Sequence, residues 1–588
     1  MPGIGIGVSP HFGGGQKWTR YWLTRKPTNL IINAQTDTTI DFSWAAGADA
    51  PEGFKLKIST DGVTYTDKAT VAGNVTTAQA TELAAGALYY FKVVAYKGTN
   101  ESDPTNIYDT RFKITVDTTK AGSAADTFIL PNYISGTYDY YVDWGDDGAE
   151  EHITTAGNHT HKYAIQGTYQ IKIRGTFPRI YFNNGGDKAK LMDINSWGNI
   201  KWGSFAEAFH GCAALTGTYI DCPNMAAVTT CYGTFFGCLA FNGRTVGWNT
   251  ANVTTMFGMF FQCYKFNQPI AHFNTGKVTN MVYMLYSALS FNQPLTFNIE
   301  AVTTMDEMFS VGVPLSHTNY DATLIAWAAQ TPKNNVILKT IGAKYGIGAA
   351  TTARGVLTGT YGWTITDGGQ TSFNNGKLVI SADDGYKSFY TKVLPLCTKK
   401  GIKATVYTIG SAIGLAGDTF MTWTEVAALV AAGFDVQCHT YNHLHLGTLS
   451  EAEVLSEYTD MDDAYVAHSL AAPTHTAYPF GESTANVRTW TATLRNSARG
   501  TTEGKIELAT DKFNLPAYSI SNTTQVAMSR VGPLLNAIKR DWNAMILYMH
   551  GVDGAGDITS AELEAVIDYA QGLGIDIITH SELYALLP

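Results

Sequence analysis

Four short stretches in the last third of the chain carry side chains that bind metals or move protons. They are Asp383-Asp384-Gly385, His439-Thr-Tyr-Asn-His443, Tyr478-Pro-Phe-Gly481 and His550-Gly551. Carboxylates and imidazoles are the groups that ligate divalent ions and serve as general acids and bases. Taken singly, each stretch has a plainer explanation. Asp-Asp-Gly is turn chemistry, and two histidines four apart on a surface helix are an ordinary solvated pair. The choice between these explanations depends on where the chain puts the four stretches.

Each of them follows a strand-like run. From Lys377 onward, short apolar runs alternate with amphipathic stretches, the pattern of an α/β barrel or sheet. LVIS (378–381) precedes the aspartates, FDVQC (434–438) precedes His439, and MILYM (545–549) precedes His550. KATVYTI (403–409) and IDIIT (575–579) are further strands. Helical patterning runs from Tyr386 to Lys400, and Thr422 with Glu425 is a capping box for a helix that stops at Gly433. Ser450 with Glu453 opens another helix, and one more starts near Thr559. In α/β barrels the strand C-termini open on one face, so this order gathers the four stretches there.

These stretches resemble the polysaccharide deacetylase, or NodB-homology, family. SADDG matches its first motif, HTYNH its second, AYPFG its third and ILYMHG its last, in order, over about 215 residues. The resemblance implies a distorted (β/α) barrel and one divalent ion, with zinc first and cobalt, nickel or manganese as alternatives. Asp384, His439 and His443 would be its ligands. Such an ion polarises an acetyl carbonyl and acidifies a water. By the same resemblance Asp383 is the general base, His550 the general acid, and the backbone N–H of Phe480 an oxyanion donor. The sequence departs from the family in three places. Ala477 stands where the family carries a base-orienting Arg, for which Arg499 and Arg530 are the candidate replacements. Tyr548 replaces a Leu, and Asp541 is the candidate for the Asp that orients the last His. His445 lies outside the motif and is read as a surface residue.

The other domains follow from periodicity. Residues 1–27 are Gly-rich, then aromatic and basic, and are read as a docking segment. Residues 28–118 alternate with period two: Ile40, Phe42 and Trp44 share one face, as do Phe54, Leu56 and Ile58, and Tyr89, Phe91, Val93 and Ala95. This stretch resembles a fibronectin type III β-sandwich, with Trp44 in its core and Tyr89 as the corner Tyr. Residues 119–200, with YYVDWGDDG, resemble a polycystic-kidney-disease-type sandwich, and turn chemistry accounts for Asp143, Asp146 and Asp147. Within 201–370 the frame VTT/VTN recurs at Val228, Val253, Val278 and Val302, spaced 25, 25 and 24 residues apart. That period indicates a solenoid, with Cys212, Cys238 and Cys263 in one interior column. These repeats, with their FNQP turns, resemble BspA-type leucine-rich repeats. Residues 371–588 are the deacetylase-like domain, so the fold class is multidomain: β-sandwich modules, a leucine-rich-type solenoid and a distorted (β/α) barrel.

The chain has 588 residues, 45% apolar, with a net charge of −10 and no basic block, which argues against a nucleic-acid partner. No run is long and apolar enough for a membrane span, and the first residues lack the pattern of an ordinary export signal. Seven cysteines without a CxxC pair read as reduced, buried thiols. Surface-type modules without an export signal suggest a phage virion appendage that docks to other virion proteins through residues 1–27. Its substrate would be an acetylated host surface glycan, and it would act alone or as a homo-oligomer. The alternatives are a glycan-binding adhesin or structural fibre without activity, and a bacterial surface protein exported by another route.

Overall fold

The computed structural model describes residues 26–47, 51–415 and 417–588. Nearly all of the expected docking segment lies outside these residues. The chain divides into two compact units, Met1–Gly369 and Gln370–Pro588.

The first unit opens with two antiparallel sheets. One pairs Thr28–Gln35, Ile40–Ala45 and Thr77–Ala80, and the other is built on Gly53–Ser59, Thr66–Ala72 and Tyr90–Lys97. The period-two faces meet between them: Phe42, Trp44, Phe54, Leu56, Phe91 and Val93 are buried. Ile58 and Tyr89 are only partly buried, and Tyr89 accepts a hydrogen bond from the Ala84 N–H. The module ends earlier than expected. Phe112–Asp117 falls inside the 28–118 span, yet it pairs with Thr168–Thr176 and Leu191–Ser196, so it belongs to the next sheet. Its alternating Phe112, Ile114 and Val116 fit either sheet, and only the register decides.

That six-stranded sheet leads into the repeats, where successive turns stack by backbone hydrogen bonds. Phe209 N–H donates to Thr234 O, Phe235 to Met259, Phe260 to Met284 and Leu285 to Met308. Val228, Val253, Val278 and Val302 are all fully buried. Cys212, Cys238 and Cys263 are free and buried, with the Cys238 and Cys263 thiols donating to Phe209 O and Phe235 O. The FNQP turns form a ladder: Asn267 N–H donates to Asn242 Oδ1, and Asn292 N–H to Asn267 Oδ1. Two positions per turn are left-handed. One series is Glu207, Gly233, Gly258, Tyr283 and Glu307, and the other is Gly211, Gly237, Gln262, Ser287 and Val311. Beyond the short strand Thr216–Gly217 that closes the six-stranded sheet, the described turns meet through single parallel bridges at Thr230, Thr255, Asn280 and Thr304. The inward side chains are Met, Phe and Cys more than Leu.

The second unit is a parallel sheet with helices. Its strands are β1 (Lys377–Ala382), β2 (Thr405–Thr408), β3 (Asp435–Cys438), β4 (His475–Ala477), β5 (Ser497–Arg499), β6 (Tyr518–Ser519), β7 (Ala544–Met549) and β8 (Asp576–Ile578). Their order is β5-β4-β3-β2-β1-β7-β6, with β8 on β1, and every pair is parallel. The segment leading into β6 also bonds the opposite edge, because Leu515 bridges Arg499. One stretch of chain therefore touches both outer strands, which draws the sheet towards a barrel. The expected caps at Thr422 and Ser450 form as capping boxes, and the helix expected near Thr559 opens on one as well.

Candidate active site

Parallel strands bring all their C-termini to one edge. Asp383 follows β1, His439 follows β3, Tyr478 follows β4, Arg499 ends β5 and His550 follows β7. These residues, apart from Arg499, line a cleft of about 310 Å³ with Asp384, His443, Phe480, Gly481, Thr501 and Tyr548. Asp384, Thr440, His443 and Phe480 all have left-handed backbone, with φ of 69°, 63°, 57° and 59°. Such conformations cost non-glycine residues roughly 1–3 kcal/mol each and cluster at functional sites. Gly481 is left-handed too, and a Cβ there would collide with Thr501.

Asp384, His439 and His443 converge. Asp384 Oδ1 lies 3.5 Å from His439 Nε2 and 3.6 Å from His443 Nε2. Ligands about 2.1 Å from a tetrahedral ion stand roughly 3.4 Å apart, so the spacing suits one. The donor chemistry fits as well. Burial pushes the His439 imidazole below its ordinary pKa against the pull of Asp383 and Asp384, so the ring is neutral. Its Nδ1–H donates to Ala477 O at 2.7 Å, which leaves the Nε2 lone pair facing Asp384. Asp384 Oδ1 is buried and has no hydrogen-bond partner. An anionic oxygen is not left so without a cation to meet it. Among the described residues this is the one group of three side chains able to hold a metal. Asp143 is instead used in its turn, accepting from Gly145 N–H, while Asp146 pairs with His161.

Asp383 is buried and pairs with the Arg499 guanidinium. Burial alone would raise its pKa, but the charge and hydrogen bond of the Arg499 guanidinium outweigh that and hold the carboxyl below its ordinary value. Of the two candidate arginines, then, Arg499 is the one that meets Asp383. Arg530 is elsewhere, on Ser519 O, Gln525 O and Glu503. Asp541 does not orient His550: it pairs with Lys505 and Arg540. Ser521 takes that place, its Oγ 3.0 Å from His550 Nδ1. Phe480 is 54% exposed, stacked at 3.9 Å on His445, whose Nδ1 meets Glu482 at 2.8 Å. His445 is therefore tied to the site's rim, although its ring remains open to solvent.

Sequence reasoning missed Ser521, Thr501 and Glu482. Ser521 and Thr501 lie outside the motifs and reach the site through the fold, whereas Glu482 directly follows Gly481 and only its contact with His445 was hidden.

Comparison with known proteins matches three parts of the chain. Residues 371–497 match the Polysaccharide deacetylase family, residues 25–110 the Fibronectin type III domain, and residues 203–321 a family described as Mycoplasma protein of unknown function, DUF285. The second unit thus carries a polysaccharide deacetylase domain, and the first begins with a fibronectin type III domain. The deacetylase match stops short of Arg499 and His550. YxkH of Bacillus subtilis (strain 168), whose name carries the polysaccharide deacetylase description, is 30% identical over 104 residues, 18% of this chain and 37% of that protein. A chitin deacetylase of Pestalotiopsis sp is 28% identical over 104 residues, 18% of this chain and 34% of that one. The chain therefore spans little more than a third of either relative. Among solved structures, the Xyl-CE4 domain of a multidomain xylanase from the hindgut metagenome of Trinervitermes trinervoides is 20% identical. That likeness covers 36% of this chain and 91% of that one, with a TM-score of 0.28.

Proposed function

We propose that the second unit is a divalent-metal-dependent deacetylase that removes acetyl groups from a surface polysaccharide. The observation that carries this reading is the buried, unpartnered Asp384 Oδ1 facing two imidazole nitrogens. A divalent ion bound there would supply Lewis acidity towards an acyl oxygen and would acidify water.

The chain's own residues account for the proton transfers. Asp383, kept ionised by Arg499, takes a proton from the water that adds to the acyl carbon. The Phe480 N–H is the expected donor to the oxygen that gains charge. His550, held by Ser521, gives a proton to the leaving nitrogen or oxygen as the acyl bond breaks. Acetate and a free amine or hydroxyl result.

The fibronectin type III domain and the BspA-like turns are read as a spacer that carries this domain to its glycan. The virion setting, docking through residues 1–27 and a bacterial host glycan remain part of the proposal. They are supported by this association of modules and by seven free, buried cysteines.

The test is acetate release by the full chain from acetylated chitin oligomers, peptidoglycan and xylan. The protein is stripped with a chelator and restored with zinc, cobalt or nickel. Release from at least one glycan, lost on chelation and regained with metal, is expected. Release from none of them with any metal overturns the reading.

A further inference from the structure

Below the cleft, the barrel interior holds polar side chains that the reaction does not use. Tyr407 stands on β2, His475 on β4 and Ser497 on β5, and His580 opens the last helix, His580–Leu586. All four are buried, at 0–2% exposure. The Tyr407 hydroxyl hydrogen-bonds His580 Nδ1. His580 Nε2 lies 2.7 Å from Ser497 Oγ, and Ser497 Oγ lies 2.8 Å from His475 Nδ1.

The chain of bonds has a direction. Burial pushes the His475 imidazole down to about 4, and His580 well below its ordinary value. Both rings are therefore neutral, each with one N–H and one lone pair. His580 Nδ1 is the acceptor that the structure gives the Tyr407 O–H. His580 Nε2–H then donates to Ser497 Oγ, and the Ser497 O–H donates to His475 Nδ1. In this order the Tyr407, His580 and Ser497 protons each meet an acceptor, whereas the opposite order leaves the Tyr407 proton without one.

At its upper end the chain meets the base. The Arg499 guanidinium carbon lies 4.9 Å from the Tyr407 ring centre and 4.6 Å from that of Tyr548. One terminal nitrogen of Arg499 meets Asp383 and the other donates to Gly500 O at 3.2 Å, while Nε has no partner. The tilt of the guanidinium plane therefore depends on the rings. A tyrosine ring anchored at its hydroxyl has a fixed tilt, and an unanchored one does not.

We propose that Tyr407, anchored through His580, Ser497 and His475, is a positioning residue that sets the plane of Arg499 and, through it, the carboxylate of Asp383. This rests on the deacetylase reading above. A role exerted through Arg499 differs measurably from a merely structural one, because it disappears when the guanidinium is gone.

The experiment is a double-mutant cycle on the full chain with zinc. It compares Tyr407→Phe, which keeps the ring and loses the anchor, with Arg499→Lys and the double variant. Ser497→Ala breaks the chain one step further away and serves if Tyr407→Phe loses its zinc affinity. Tyr407→Phe is expected to lower kcat about tenfold with KM and zinc affinity unchanged. Ser497→Ala should lower it several-fold, and adding Tyr407→Phe to Arg499→Lys should cost less than about twofold more. Wild-type kcat in both single variants, or an equal loss with and without Arg499, overturns the inference while the deacetylase reading stands. An inactive wild type on every acetylated glycan removes both.

Discussion

Asp383 and Asp384 are neighbours in sequence, and their surroundings separate the roles proposed for them. Asp383 is buried against Arg499 and held ionised, whereas Asp384 turns an unpartnered oxygen towards His439 and His443. His550 lines the same cleft and is met at Nδ1 by a serine hydroxyl. Replacing it tests proton transfer without touching a metal ligand. His550→Ala should lower kcat by roughly 10²–10⁴-fold, and Ser521→Ala should lower it less, both with zinc affinity unchanged. Steady-state kinetics with a parallel zinc titration checks this, and loss of zinc binding in His550→Ala would contradict the assigned role. Asp383, Asp384, His439, His443 and His550 were legible because each directly follows an apolar run in a recognisable motif. The partners were not. Arg499 lies 116 residues from Asp383, and Ser521 lies 29 from His550. Asp541 looked plausible along the chain, but the fold spends it on Lys505 and Arg540.

At the level of elements, what was legible depended on length. Helices with capping boxes and strands of six apolar residues declare themselves by period. Ser497–Arg499 and Tyr518–Ser519 span three and two residues, too few to show one. The strand Phe112–Asp117 was legible as a strand but not as to which sheet it joins, since register is a tertiary fact. The repeat turns show how a period fixes backbone as well as side chains. Val311 occupies the left-handed position that Gly211 and Gly237 hold in earlier turns, at φ 55° and 45% exposed. A β-branched residue is strained there and loses little packing on removal. Val311→Gly should therefore stabilise the first unit, by up to about 1 kcal/mol. The readout is the urea midpoint of unfolding, and a lower midpoint for the variant would show that Val311 is not strained.

At the level of the whole molecule, each unit has its own core. One cluster of buried residues extends from Leu30 to Trp363, and the clusters of the second unit extend from Phe373 to Leu583. Composition alone could not separate them, because both units are ordinary in apolar and charged content. The change of texture at Lys377 lies a few residues beyond the division at Gly369 and Gln370. What the sequence could not convey is how a curved sheet brings residues from five strands onto one cleft. The assignment of a base beside a metal site, rather than within it, is tested most directly by Asp383→Asn in the full chain, with bound zinc and released acetate measured on the same sample. The expected result is one zinc per chain, as in the wild type, with acetate release lowered by at least about 10²-fold. Release at the wild-type rate, or a chain that no longer holds zinc, would contradict it.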